Sequence, residues 1–140
     1  MRFDIISANP GITESFLAYG LISRAVKKGI IEIYVHHLRD YADGKYKQID
    51  DTPYGGGSGM ILKPEPVFRC VEGLKSKREY DEVIYFSPQG VKLDQKAAND
   101  YSLKSNLILI CGHYKGIDQR IINKLVTAEI SIGDYVLSCG

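Results

Sequence analysis

The chain has 140 residues, 44% of them hydrophobic and 25% charged, and its formal net charge is +1. That length suits one domain with a sizeable core, and the near-neutral balance excludes recognition of nucleic acid by bulk charge, leaving a local patch or shape. No apolar run approaches the roughly 20 residues that cross a bilayer, so no membrane partner is expected.

Residues 2–8 read as a short buried strand, with an acid inside the apolar run that argues against a signal peptide. Asn9-Pro10 is a helix-start signal, a cap side chain followed by a proline with no amide to lose. Ile12, Phe16, Tyr19, Ile22 and Val26 then recur at helical spacing and predict one helix with one apolar face, ended by Gly29. Residues 30–38 form a second strand. His36 and His37, adjacent on it, point to opposite faces and read as surface and edge residues rather than metal ligands.

Residues 39–62 break the rhythm with Asp43-Gly44, Pro53 and Gly55-Gly56-Gly57-Ser58-Gly59, a loop longer than a connection needs. A helix starts near Pro64 to Pro66 and carries Val67, Val71 and Leu74 on one face. Val83-Ile84-Tyr85-Phe86 is a strand, then comes the loop Ser87-Pro88-Gln89-Gly90 and a helix from about Asp94. Leu107-Ile108-Leu109-Ile110 is a strand, followed by a loop to Gly116 and a helix from about Ile117 with Ile121 and Leu125. Residues 128–132 begin a last strand, and Gly133 opens a loop. Continuous apolar strands alternating with helices predict an α/β fold, a mostly parallel sheet with helices on both faces.

Ligands of such sheets sit beyond the carboxyl ends of the strands, where these three glycine-bearing loops fall. Glycine lets a ligand reach bare backbone. For any one loop, glycine as a mere chain turn is the simpler reading; three in succession point to a pocket. The dinucleotide fingerprint and the phosphate-loop lysine are both missing, as is metal-ligand spacing. Cys70, Cys111 and Cys139 fit neither a disulfide framework nor a zinc cluster and favour a reducing cytoplasm. The remaining fit is a ligand with an adenine and a flexible polar tail. Ile132, Val136 and Leu137 offer an apolar slot, and Tyr85, Tyr114 and Tyr135 could face a cationic centre such as a sulfonium.

Four motifs carry a resemblance over the whole chain. Residues 51–60 (Asp-Thr-Pro-Tyr-Gly-Gly-Gly-Ser-Gly-Met), Ser87-Pro88-Gln89-Gly90, residues 111–120 (Cys-Gly-His-Tyr-Lys-Gly-Ile-Asp-Gln-Arg) and residues 131–138 (Ser-Ile-Gly-Asp-Tyr-Val-Leu-Ser) resemble the bacterial tRNA (guanine-N1)-methyltransferases that modify the guanosine at tRNA position 37. The resemblance implies a homodimeric, cytoplasmic enzyme of the SPOUT class that uses S-adenosylmethionine in tRNA processing, its cofactor site a trefoil knot. It implies a cofactor site of Tyr85, Ser87, Pro88, Gly112, Ser131, Ile132, Gly133, Asp134, Tyr135, Val136, Leu137 and Gly140. Asp50, Gly55 and Gly59 would lie near the guanosines of the tRNA anticodon loop.

The chemistry needs a base near N1, a cation or donor for O6 and an aligned methyl group. The family's presumed aspartate and arginine lie beyond Gly140, so no residue here is assigned a catalytic role. Three positions depart from the family: Lys115 replaces a frequent glutamate, His113 a frequent arginine, and Cys139 the first glycine of a usual pair. Lys115 makes a magnesium requirement uncertain. Residues 1–140 are thus expected to be a cofactor-binding SPOUT domain incomplete at its carboxyl end, without the tRNA-binding domain and inactive alone. A non-catalytic nucleotide- or RNA-binding module is the alternative.

Overall fold

The computed structural model describes residues 1–113 and 115–137. In chain order it contains β1 (Arg2–Ser7), α1 (Pro10–Leu17), α2 (Gly20–Lys27), β2 (Glu32–His37), a 3-10 turn (Leu38–Tyr41), β3 (Asp50–Asp51) and β4 (Ile61–Leu62). There follow α3 (Pro64–Lys75), β5 (Glu82–Lys92), α4 (Gln95–Ser102), β6 (Asn106–Ile110), α5 (Gln119–Lys124) and β7 (Ala128–Ser131). Five strands make one sheet in the order β2-β1-β6-β5-β7, and every neighbouring pair is parallel. The expected α/β class with a mostly parallel sheet is therefore correct.

Side chains alternate across the strands, as the two-residue period demands. Ile6, Val83, Tyr85, Ile108 and Ile110 face a large core shared with Val67, Cys70, Val71 and Leu74 of α3 and Ile121 of α5. Ile84, Leu107 and Ile130 face the other way, where Tyr101 of α4 packs on them. The second cluster is much the smaller, so the two faces are covered unequally rather than alike.

The single amphipathic helix expected after Pro10 is two helices. Tyr19 is extended (φ −131, ψ 165), and Gly20 takes a φ of +72 that only glycine adopts without strain. Much of the periodic apolar row faces outward: Ile12 is 60% exposed, Phe16 72% and Tyr19 80%. Asn9 also makes no side-chain cap bond. Gly29 does end α2, donating its amide to Val26 at 3.0 Å. Asp94 caps α4 through a 2.8 Å bond from the Ala97 amide, while α5 starts two residues later than expected, after Asp118.

His36 is no mere surface residue, and its partner explains the acid in β1. Asp4 is fully buried. Its Oδ1 lies 2.7 Å from His36 Nε2 and accepts from Arg2 Nη2 at 3.0 Å; its Oδ2 accepts from Arg2 Nε and from the Tyr80 hydroxyl, each at 2.7 Å. The Arg2 guanidinium also stacks on Tyr34, 3.9 Å from the ring centre. Burial alone would raise the Asp4 pKa, but the bonds from Arg2, His36 and Tyr80 outweigh it and hold the carboxyl below its usual range. Burial, then the bond to Asp4, pushes the Tyr80 hydroxyl up to about 12.

Candidate functional site

The site follows from the strand order. The connection from β5 returns through α4 to β6, whereas the connection from β6 crosses through α5 to β7. The two helices pack on opposite faces, Tyr101 of α4 on one and Ile121 of α5 on the other. The chain thus leaves neighbouring strand ends in opposite directions and opens a crevice there, the usual ligand position of open parallel sheets.

A cavity of about 840 Å³ fills that crevice. Its walls are Tyr85 to Pro88 from β5, Cys111, Gly112, His113, Lys115 and Gly116 after β6, and Ile132, Gly133, Tyr135, Val136 and Leu137 after β7. All three expected loops meet in it. Of the expected cofactor residues, Tyr85, Ser87, Pro88, Gly112, Ile132, Gly133, Tyr135, Val136 and Leu137 line the cavity. Ser131 lies buried beneath, its hydroxyl donating to the Gly133 carbonyl at 2.8 Å and so shaping the third loop. Asp134 is exposed and off the lining; Tyr114, Cys139 and Gly140 fall outside the described residues. Phe86 joins as the last residue before the first loop, a position that the strand boundary alone could have flagged.

Two of the loops are built around close approach. A Cβ on Gly112 would sit 3.1 Å from the Tyr85 ring, so glycine there lets the tyrosine close the cavity floor. Burial raises the Tyr85 hydroxyl pKa, with Glu129 adding to it. The segment Ser87-Pro88-Gln89-Gly90 is not a strand end but an insertion within β5. Phe86 and Val91 both oppose Ile130, and pairing with β7 resumes beyond the insertion. A Cβ on Gly90 would lie 2.6 Å from the Glu129 carbonyl and the Ile130 nitrogen, so the insertion is pressed against backbone.

The residues expected near the base do not all converge. Gly55 borders a separate hollow of about 340 Å³ with Asp51, Tyr54, Lys63, Asp118 and Arg120. There Arg120 clasps Asp118 with bonds of 2.9 and 3.0 Å, which hold that carboxyl below its ordinary pKa. Asp50 pairs with Leu62 in the short sheet, and Gly59 lies against the Lys115 side chain. A third hollow, of about 530 Å³ between the β5–β7 edge and α4, is bordered by none of the expected residues.

The larger cavity suits the ligand read from the sequence: its volume is that of a small-molecule site, with an apolar wall at Ile132, Val136 and Leu137 and tyrosines on two sides. Burial pushes the Cys111 thiol up to about 11, so it stays protonated and is a poor nucleophile at neutral pH. Magnesium does not fit as well. Lys115 brings an ammonium-bearing chain to the wall, and among the described residues no three His, Cys, Asp or Glu side chains cluster as metal ligands. Among those residues no helix is long and apolar enough to cross a membrane.

A family model described as tRNA (guanine-1)-methyltransferase TrmD matches residues 1–140. A tRNA (guanine-N(1)-)-methyltransferase of Chlorobium chlorochromatii is 56% identical over 140 residues, all of this chain and 61% of the relative. The same enzyme of Christiangramia forsetii is 54% identical, with 62% of its length covered. The crystal structure of tRNA (m1G37) methyltransferase from Aquifex aeolicus superposes with a TM-score of 0.90 at 39% identity, covering all of this chain and 63% of that one. The chain therefore spans about three fifths of the length of these relatives.

Proposed function

The chain belongs to the tRNA (guanine-1)-methyltransferase family, and from that premise we propose that the protein transfers a methyl group from S-adenosylmethionine to N1 of the guanosine at position 37 of tRNA. The observation that carries this reading is the convergence of the three family loops on one cavity at the switch point of the sheet. When bound, the cofactor supplies an electrophilic sulfonium methyl. Ile132, Val136 and Leu137 would form an apolar slot for the adenine, and Gly112 and Gly133, lacking side chains, make room for the Tyr85 and Tyr135 rings beside it. The Tyr85 and Tyr135 rings supply electron-rich faces suited to a cation. Gly112 makes room for the Tyr85 ring, which closes the cavity floor beneath the site proposed for the methyl donor.

The N1–methyl bond forms as the sulfur–methyl bond breaks, and the N1 proton passes to a base. No residue of these 140 is assigned that base. Residues 1–140 form the cofactor-binding domain in this proposal, with tRNA binding by its anticodon loop completed by a further domain, a division that rests on the family resemblance. The cytoplasm as its place and a trefoil knot at the cofactor site rest on the same resemblance. A homodimer is part of the reading too. It is supported by the outward apolar row Ile12, Phe16, Tyr19 and Leu21, the last 76% exposed, whose burial in a symmetric contact would remove it from water.

The test is transfer of labelled methyl from S-adenosylmethionine to transcripts bearing G or A at position 37, by protein of the relatives' length. Label in the G37 transcript alone, released on digestion as 1-methylguanosine, is expected. Tight tRNA binding with no transfer favours the non-catalytic module, whereas equal label in both transcripts keeps the methyltransferase and overturns its assignment to the guanosine at position 37.

A further inference from the structure

Lys115 is held by more than its place on the cavity wall. Its backbone amide donates to the Met60 carbonyl at 3.1 Å, and the next residue's carbonyl, that of Gly116, accepts from the Leu62 amide at 3.1 Å. Asp118 N–H then returns to the Leu62 carbonyl at 3.3 Å, and Leu62 and Ile117 form a parallel bridge. Past this seam the lysine stem runs across Gly59: a Cβ there would lie 2.7 Å from Lys115 Cδ and 2.8 Å from Cε. Gly59 has a φ of +98, so it frees the path for the stem and takes a backbone conformation other residues resist. The ammonium ends on the Ser58 hydroxyl at 2.7 Å.

Among the described residues, the segment 55–59 is otherwise held by a backbone bond from the Gly56 amide to the Pro53 carbonyl at 3.1 Å. Gly55, Gly56, Gly57 and Gly59 all have positive φ, and Tyr54 is fully exposed. Such a segment loses much conformational entropy when it is fixed in one place. A charge-assisted bond at its far end is well suited to hold it. We infer that Lys115 is a positioning residue: through Ser58 and Gly59 it latches the 55–59 segment to the wall of the large cavity, joining the surface that receives the guanosine to the one that receives the methyl donor. The inference rests on the proposed activity for its kinetic consequence, but the latch itself is a property of the chain.

The experiment has two arms. The first measures amide hydrogen exchange of residues 55–60 in the 140-residue chain and in its Lys115→Met, Lys115→Arg and Ser58→Ala variants. Lys115→Met keeps the stem and removes the ammonium; Ser58→Ala removes the acceptor. Both should speed exchange about tenfold, the worth of one bond to a charged group, while Lys115→Arg restores protection. The doubly substituted chain should exchange no faster than either single variant, since one bond is lost in each case. The second arm reads methyl transfer by protein of the relatives' length. Lys115→Met and Ser58→Ala should raise KM for tRNA at least fivefold more than they lower kcat. Unchanged exchange in both variants, or strictly additive effects, overturns the latch. Wild-type protein that transfers no methyl group overturns the proposed function and leaves the exchange result to decide the latch.

Discussion

Two parts of the sheet bury polar chemistry in opposite ways. On β1, Asp4 is sealed from water and, among the described residues, its oxygens bond to Arg2, His36 and Tyr80. Around the insertion in β5 and beyond the ends of β6 and β7, the chain instead leaves room, with glycine backbone and aromatic faces around about 840 Å³. The first is satisfied within the chain; the second is an open cavity, the site proposed for the methyl donor. A buried polar group with all its partners stabilises the fold, whereas a cavity lined by unfilled surface gives up packing in return for binding. Residues of the first kind should therefore govern stability and those of the second affinity, a division that substitution can break.

Asp4→Ala should have the largest effect. It strands Arg2, His36 and Tyr80 around a lost carboxylate and should cost about 3–5 kcal/mol in urea unfolding. Donor affinity of the variant that remains folded, measured by calorimetric titration, should stay within about threefold, because Asp4 is remote from the lining. The same group predicts an acid limb. Its folded pKa is depressed, so its stabilisation is whole above the unfolded value of about 3.9 and is lost as pH falls through the lower folded value. Wild-type urea midpoints should fall below about pH 4, and this part of the fall should be absent from Asp4→Ala.

Gly90→Ala is the substitution that should blur the division, since the insertion in β5 is both sheet and cavity wall. A methyl group 2.6 Å from the Glu129–Ile130 backbone must push the strands apart. A loss of about 1–3 kcal/mol in unfolding, together with weaker donor binding, is expected. Tyr135→Ala should act on affinity alone. Its ring is 54% exposed and borders the cavity, so donor binding should weaken about tenfold while stability moves by no more than about 0.5 kcal/mol. Asp94→Ala, in neither region, should cost about 1 kcal/mol through the lost α4 cap and leave affinity alone.

Much of this was legible in the sequence. The apolar runs of β5 and β6 place their strands because β-branched residues and leucine in unbroken rows need a sheet buried on both sides, and Asp94 marks its helix by a local bond. The three loops were legible as one pocket because parallel strands put their carboxyl ends together. What escaped was whatever depends on a partner across space. The apolar row from Ile12 to Val26 gives a helical face but not what covers it, and Gly20 bends the row in two. His36 has no sequence neighbour to announce Asp4, 32 positions away. Ser87 to Gly90 read as the end of a strand because periodicity stops there, yet β7 resumes its pairing past them.

That resumption has a consequence for how the site could diversify. Because β5 is stitched to β7 before and after the insertion, the two ends of residues 87–90 are clamped at a fixed spacing by the sheet itself. Ser87, Pro88 and Gln89 form an arch whose feet cannot wander, so their side chains can be exchanged to reshape one cavity wall without resetting the strand register. Gly90 alone, wedged on the neighbouring backbone, is withheld from that freedom.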